Sequence, residues 1–177
     1  MRAFLAIDVD ATSSPEQPVV APTHLTLRFL GDVPPESVSG LVAAIRPVGR
    51  HHAPFSLVLA GVDAFPSRSA PRVVWVGVTD GRDAVVRLAG DLADALATVG
   101  VPPEPPPFVP HVTLFRVRSA ADRDRALGLL RGLDPSPAPR AVAVREFSLK
   151  ESTLTPGGAL HRTLERFPLT GARGAAG

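Results

Sequence analysis

Apolar positions in this chain recur at two spacings, every second residue and every third or fourth, and the switch between them lays out the expected elements. Arg2 to Val9 is a short apolar run and predicts a first strand. "DATSSPEQPVVAPT" is polar and rich in turn signals, so it reads as a loop. His24 to Leu30 predicts a second strand, closed by Gly31-Asp32. Pro34-Pro35-Glu36 then opens a helix, since proline and an acid are favoured in a first turn. Leu41, Val42, Ile45 and Val48 form its apolar stripe. Phe55 to Val62 and Arg72 to Val78 predict strands joined by the turn-rich "FPSRSAP". Val85, Leu88, Leu92, Leu96 and Val99 recur at helical spacing until Gly100 stops them. "VPPEPPPFVP" lacks the amide donors that a helix or an inner strand needs, and reads as a stiff connector. His111 to Val117 is the next strand, and Ala120 to Leu133 is a helix broken by "DPSPAPR". Arg140 to Leu149 and His161 to Leu169 predict a closing strand pair turned at "TPGG", with residues 171–177 as a flexible tail.

Helices alternate with strands, yet several strands are spaced for hairpins. That favours α+β with antiparallel sheets over a doubly wound parallel sheet. A similar order of elements surrounds two of the strands, which suggests two related lobes facing a central cleft, with helices outside. The 177 residues suffice for one such domain, its two lobes not independent of each other.

Composition narrows the chemistry. Cysteine is absent, which excludes disulfides, cysteine-bound metals and thiol nucleophiles and accords with a reducing cytoplasm. No apolar run is long enough to span a membrane, and no targeting segment is recognisable. The net charge of +2 argues against a non-specific nucleic-acid coat protein. Lys150 is the only lysine, so nearly all the positive charge is arginine, as a GC-rich coding sequence would produce. Arginine also suits local phosphate binding.

Candidate chemistry sits on two strands that open alike, "HLTL" at His24 and "HVTL" at His111. Residues two apart on a strand share a face. Strict alternation therefore puts His24, Thr26 and Arg28 on one side and Leu25, Leu27 and Phe29 in a core. It likewise pairs His111 with Thr113, and Val112 with Leu114. An imidazole exchanges protons near neutral pH, and a threonine hydroxyl donates to a phosphoryl oxygen. Each histidine alone could be a hydrogen-bonded core residue; two with threonine at the same offset point to one shared anion site. "HRTL" at His161 matches a third time, but Arg162 at its second position suits an exposed strand, and His161 is expected at the surface or rim. His51 and His52 in "GRHHAPF" read as loop residues, and no cluster of ligands for a metal is apparent.

The paired motifs resemble those of the two-histidine (2H) phosphoesterases. The chain is similar nearly end to end to the RNA 2',3'-cyclic phosphodiesterases, also called 2'-5' RNA ligases. "RAFLAIDV" resembles the family's opening strand, and "HLTLRFLGDV" and "PHVTLFRV" its two motifs. "GVDAFPSRSAPRVVWVGV" and "ESTLTPGGALHRTLERFPL" resemble its two hairpins. The resemblance implies opening of RNA 2',3'-cyclic phosphate ends, such as tRNA fragments, to 2'-phosphates, without metal or cofactor. It implies His24 as proton donor and His111 as proton acceptor, an order that the sequence itself does not fix. Thr26 and Thr113 would hold the phosphoryl oxygens.

Arg116 matches an arginine found after the second motif in relatives. Strict alternation turns it away from His111, so it reaches the cleft only if the strand ends or bulges near Phe115. Arg28 has the right parity, as a phosphate ligand or as a solvated rim arginine. Phe4 is either a contact for the substrate base or a core residue. The segment between the first strand and the first motif is shorter than in relatives, which bears on oligomeric state and on RNA contact from that side. A monomer in the cytoplasm is expected. The rival readings are a 2'-5' ligase or phosphodiesterase acting on other nucleotides, a non-catalytic RNA-end binder, and a metallohydrolase.

Overall fold

A computed structural model of the chain describes residues 1–9, 23–105, 107–155 and 158–172. The expected loop before the first motif, with its shortened span, falls on 10–22 and lies outside the described residues. So do the centre of the "TPGG" turn, at 156–157, and residues 173–177 of the expected tail.

The element order is β1 (Arg2–Val9), β2 (Thr23–Asp32), α1 (Val38–His51), β3 (Phe55–Phe65), β4 (Val73–Asp80), α2 (Arg82–Ala97), β5 (His111–Arg116), α3 (Ala120–Arg131), β6 (Arg140–Val144), β7 (Glu146–Thr155) and β8 (Gly158–Pro168). A 3-10 turn, Pro35–Ser37, leads into α1. All the strand pairings among the described residues are antiparallel. They form one eight-stranded sheet in the order β6-β3-β4-β5-β2-β1-β7-β8. The fold is α+β, as expected, and the two expected lobes are its halves. Each half has a histidine strand at its inner edge, and the halves meet through the single pair Leu25–Val112.

The helices cover one face. Leu41, Ile45 and Val48 of α1 and Val85, Leu88, Leu92 and Leu96 of α2 join Leu5, Ile7, Leu25, Leu57, Val76 and Val112 in one buried core. Each fully buried aliphatic side chain stabilises by about 1.5–3 kcal/mol relative to exposure. Gly81 links β4 to α2 at φ +71°, where a Cβ would also collide with the Ser56 carbonyl. Ser119 caps α3 in a reciprocal box: its hydroxyl accepts from the Asp122 amide (3.1 Å), and the Asp122 carboxylate accepts from the Ser119 amide (3.0 Å).

Two expectations need correction. Helix α1 continues through Pro47 to His51, so His51 is helical rather than in a loop. Burial of Ile45, Val48 and Gly49 on that turn outweighs the proline. Arg140 to Leu149 is not one strand but two, because β6 pairs with β3 in one half and β7 with β1 in the other. Only Arg145 separates them, although they hold the first and seventh places in the sheet. The sheet therefore curls until those places converge, leaving a concave face opposite the helices.

Candidate active site

The middle of the concave face is built by the junction of β2 and β5. Leu25 and Val112 pair there and point into the core. Their neighbours point the other way. His24 and Thr26 from β2 thus share the concave face with His111 and Thr113 from β5. The register through Leu25–Val112 sets His24 across from Thr113 and Thr26 across from His111. Directly opposed residues lie about 5 Å apart, so two imidazoles and two hydroxyls are grouped on one patch of this face.

Both motifs end in a β-bulge at their last leucine. Against β1, Thr26 pairs with Ala6 and Arg28 with Leu5, leaving Leu27 as the extra residue. Against β4, Thr113 pairs with Trp75 and Phe115 with Val74, leaving Leu114 as the extra residue. Each bulge reverses the alternation beyond it. Arg116 is thereby delivered to the concave face, opposite Val73, as the conditional expectation required. Phe115 turns to the helix side, where the Arg125 guanidinium stacks over its ring at 4.5 Å.

In β2 the same device overturns the expected parity. Arg28 is buried, donates to the Pro102 carbonyl and pairs with Glu104 at 3.5 Å. It is tied to the proline-rich connector and does not line the cleft. Phe29, expected in the core, is 58% exposed on the concave face. Phe4, 3% exposed, lies beneath the site with its ring 4.9 Å from His24 and 6.3 Å from Phe29. It faces the site yet is buried, so Phe29 is the ring offered to solvent.

The two histidines are held differently. His111 Nδ1 lies 2.7 Å from the Val109 carbonyl. A carbonyl only accepts, so Nδ1 carries a proton, and in the neutral ring the lone pair is on Nε2. The rings of Phe65 (5.1 Å) and Trp75 (5.6 Å) wall His111. No side-chain hydrogen bond holds the His24 ring among the described residues. Its neighbours are the rings of Phe4 and His161, the latter 5.0 Å away and edge-on. Burial pulls the His24 pKa down to about 4, helped by the charges of His161, Lys150 and His111 and opposed by Asp8. Lys150 is buried beside the site, its Nζ 2.7 Å from the Asp8 carboxylate and 3.1 Å from Thr163 Oγ1.

His51 and His52 lie apart from this cluster. They line a cavity of about 620 Å³ near the C-terminal end of α1, together with Arg87 and Asp91. His52 Nε2 is committed there to Asp91 at 2.7 Å. Among the described residues no group of three or more His, Asp or Glu is placed to hold a metal ion. No described helix is long and apolar enough to cross a membrane.

The family model of the 2'-5' RNA ligase superfamily matches residues 12–152. The chain belongs to this superfamily. An RNA 2',3'-cyclic phosphodiesterase of Aquifex aeolicus is 33% identical over 154 residues, 84% of this chain and 78% of that protein. The crystal structure of TT0787 of Thermus thermophilus superposes with a TM-score of 0.76 at 27% identity, covering 98% of this chain and 100% of that one. E. coli LigT, crystallised with 3'-AMP, gives a TM-score of 0.71 at 31% identity, covering 96% and 98%. Within the 2'-5' RNA ligase superfamily the chain is thus a member of the RNA 2',3'-cyclic phosphodiesterase family of two-histidine phosphoesterases.

Membership adds meaning to two residues that alternation misplaced or discounted. Phe29 and Arg116 occupy matching positions after the two bulges, so the superfamily's paired motifs here present an aromatic ring on one side of the cleft and a guanidinium on the other. The order "RF" in one motif and "FR" in the other signalled this difference, but only once the bulges are known. His161, assigned to the rim, stands against His24; its signal was the third H-x-T-L.

Proposed function

We propose that the protein opens 2',3'-cyclic phosphodiester ends of RNA to 2'-phosphomonoesters, with His24 and His111 as its acid and base. The observation that carries this is the pairing of two H-x-T-L strands at Leu25–Val112, which turns His24, Thr26, His111 and Thr113 onto one face. His111 Nε2 takes a proton from water, and the water oxygen bonds to phosphorus. The P–O3' bond breaks, and His24 gives its proton to the departing 3'-oxygen. Thr26 and Thr113 hydroxyls donate to the non-bridging oxygens, and Arg116 offsets their charge. The Val109 hydrogen bond supports His111 as the acceptor, because in the neutral ring it puts the lone pair on Nε2, facing the cleft chemistry rather than the backbone. His24 is neutral in the free protein at pH 7, its pKa being about 4. The phosphodiester anion favours the protonated ring, so His24 is charged for its donor role as substrate binds.

Phe29, with Phe4 behind it, offers a surface for the base next to the cyclic phosphate. Both motifs come from one chain, so the site is complete in a monomer. tRNA fragments with such ends are one substrate class of the right chemistry. A cytoplasmic location accords with that substrate and with the absence of cysteine.

The test is incubation in EDTA with an oligoribonucleotide ending in a 2',3'-cyclic phosphate, beside His24→Ala and His111→Ala. Each variant should lose roughly 10²–10⁴-fold in turnover. Chromatography against 2'- and 3'-phosphate standards should show a 2'-phosphate from wild type. Full activity in both variants, or inhibition by EDTA, would overturn the two-histidine mechanism. Bound RNA without turnover would indicate an RNA-end binder.

A further inference from the structure

The third H-x-T-L motif is not used by the two-histidine chemistry, yet it repeats the local design of the other two. In β8, Thr163 pairs with Lys150 and Glu165 with Leu149, so Leu164 is an extra residue, as Leu27 and Leu114 are in theirs. Ser152, opposite Arg2 on one side and His161 on the other, carries His161 onto the face shared by Phe4 and Lys150. The threonine of this motif is already committed, because Thr163 Oγ1 accepts from Lys150. What the motif supplies is an imidazole. Its ring lies 5.0 Å from His24 at 85° and 5.0 Å from Phe4 at 76°, while Phe4 and His24 are themselves in contact. Three rings therefore pack mutually.

His111 is oriented by a hydrogen bond from its own Nδ1. Among the described residues His24 has no such bond, and the rings that pack against it are those of Phe4 and His161. We propose that His161 is a positioning residue of this active site, one that holds the His24 ring and competes with it for a proton. The proposal rests on the functional reading above for what His24 does, but not for the contact itself. Two imidazoles packed edge to edge hold one proton far more readily than two. His161 is exposed and exchanges protons with solvent directly. Among the described residues, the titratable groups that face His24 are Asp8 from β1, His111 from β5, Lys150 from β7 and His161 from β8. Of these, Asp8 alone favours the charged ring, and it is paired with Lys150. Burial and the Lys150 charge also hold the His161 pKa below its usual value.

Two variants separate the parts of this role. His161→Ala removes the ring and its charge; His161→Phe keeps a ring and removes the charge. Both are first checked for wild-type circular dichroism. His161→Ala should lower kcat roughly tenfold with KM within about twofold, since a mispositioned catalytic ring costs turnover rather than binding. His161→Phe should restore kcat to within about threefold of wild type. In both, the His24 titration followed by NMR in the unliganded protein should move to higher pH, because a neighbouring positive charge is gone. Wild-type kcat and an unmoved His24 titration in His161→Ala would overturn the proposal. So would a raised KM at unchanged kcat, which would make His161 a substrate contact. Loss in His161→Phe as deep as in His161→Ala would mean that a ring nitrogen of His161 takes part in the chemistry itself, and would also overturn it. If wild type opens no cyclic phosphate, the functional reading fails, and the His24 titration still decides whether His161 governs its proton.

Discussion

At the scale of single residues, the His24 environment makes the active site a source of acid sensitivity. Burial and the charges of His161 and Lys150 hold this ring at about 4, against 6.5 in an unfolded chain. Between those two values the unfolded chain binds a proton that the folded one refuses. Stability is therefore unaffected by this ring above pH 6.5, is lost as pH falls toward 4, and loses nothing further below that. The loss amounts to roughly 3 kcal/mol at most. In His24→Asn the group that refuses the proton is gone. Urea denaturation at pH 8 and pH 4.5 should show the variant gaining on wild type by roughly 2–3 kcal/mol as pH is lowered. Parallel pH dependence in the two proteins would show that His24 is not held neutral.

At the scale of elements, strands and helices were largely legible, because their apolar periods are unbroken where packing is regular. β1 matches the expected Arg2 to Val9, and α2 follows the stripe from Val85 to Leu96 but ends at Ala97, short of the expected Val99. The two motifs were legible as well, because H-x-T-L fits within a strand segment that still alternates. What lay beyond them was not. A bulge adds one residue without changing the apolar count, so "LTLRF" and "VTLFR" look like continued strands. The register shifts at Leu27 and Leu114 exchange the faces of all that follows. The consequence is testable as a contrast between two arginines. Arg116→Ala removes a guanidinium on the concave face and should raise KM for the cyclic-phosphate substrate about tenfold or more, the scale of a charge-assisted hydrogen bond. Arg28→Ala strips the Pro102 carbonyl of its donor and Glu104 of its ion-pair partner, leaving Glu104 only the Phe29 amide. It should cost about 1–3 kcal/mol in thermal or urea denaturation with KM near wild type. The opposite pattern would mean that plain alternation, not the bulges, orders the cleft.

At the scale of the whole molecule, the curled sheet raises the question of whether its halves are separable. Sequence periodicity indicated two similar lobes but not their closure, because nothing in "RAVAVREFSL" marks Arg145 as the crossing between distant strands. The sheet alone joins the halves weakly, through one strand pair at Leu25–Val112. The core joins them strongly: Leu5, Ile7 and Leu25 from one half and Leu57, Leu59 and Val76 from the other are buried in the same cluster beneath α1 and α2. A shared core of this kind unfolds as a unit. The single tryptophan, Trp75, stands on β4 against His111 and reports on one half alone, whereas far-UV circular dichroism reports on all of the helices and strands. Leu25→Ala lies in the other half and opens a cavity at a fully buried position, which should cost about 2–5 kcal/mol. Trp75 fluorescence and circular dichroism should trace one coincident urea transition in wild type and shift together, by the same amount, in Leu25→Ala. A Trp75 transition left in place while the dichroism midpoint falls would show instead two lobes that melt independently and meet only at the catalytic face.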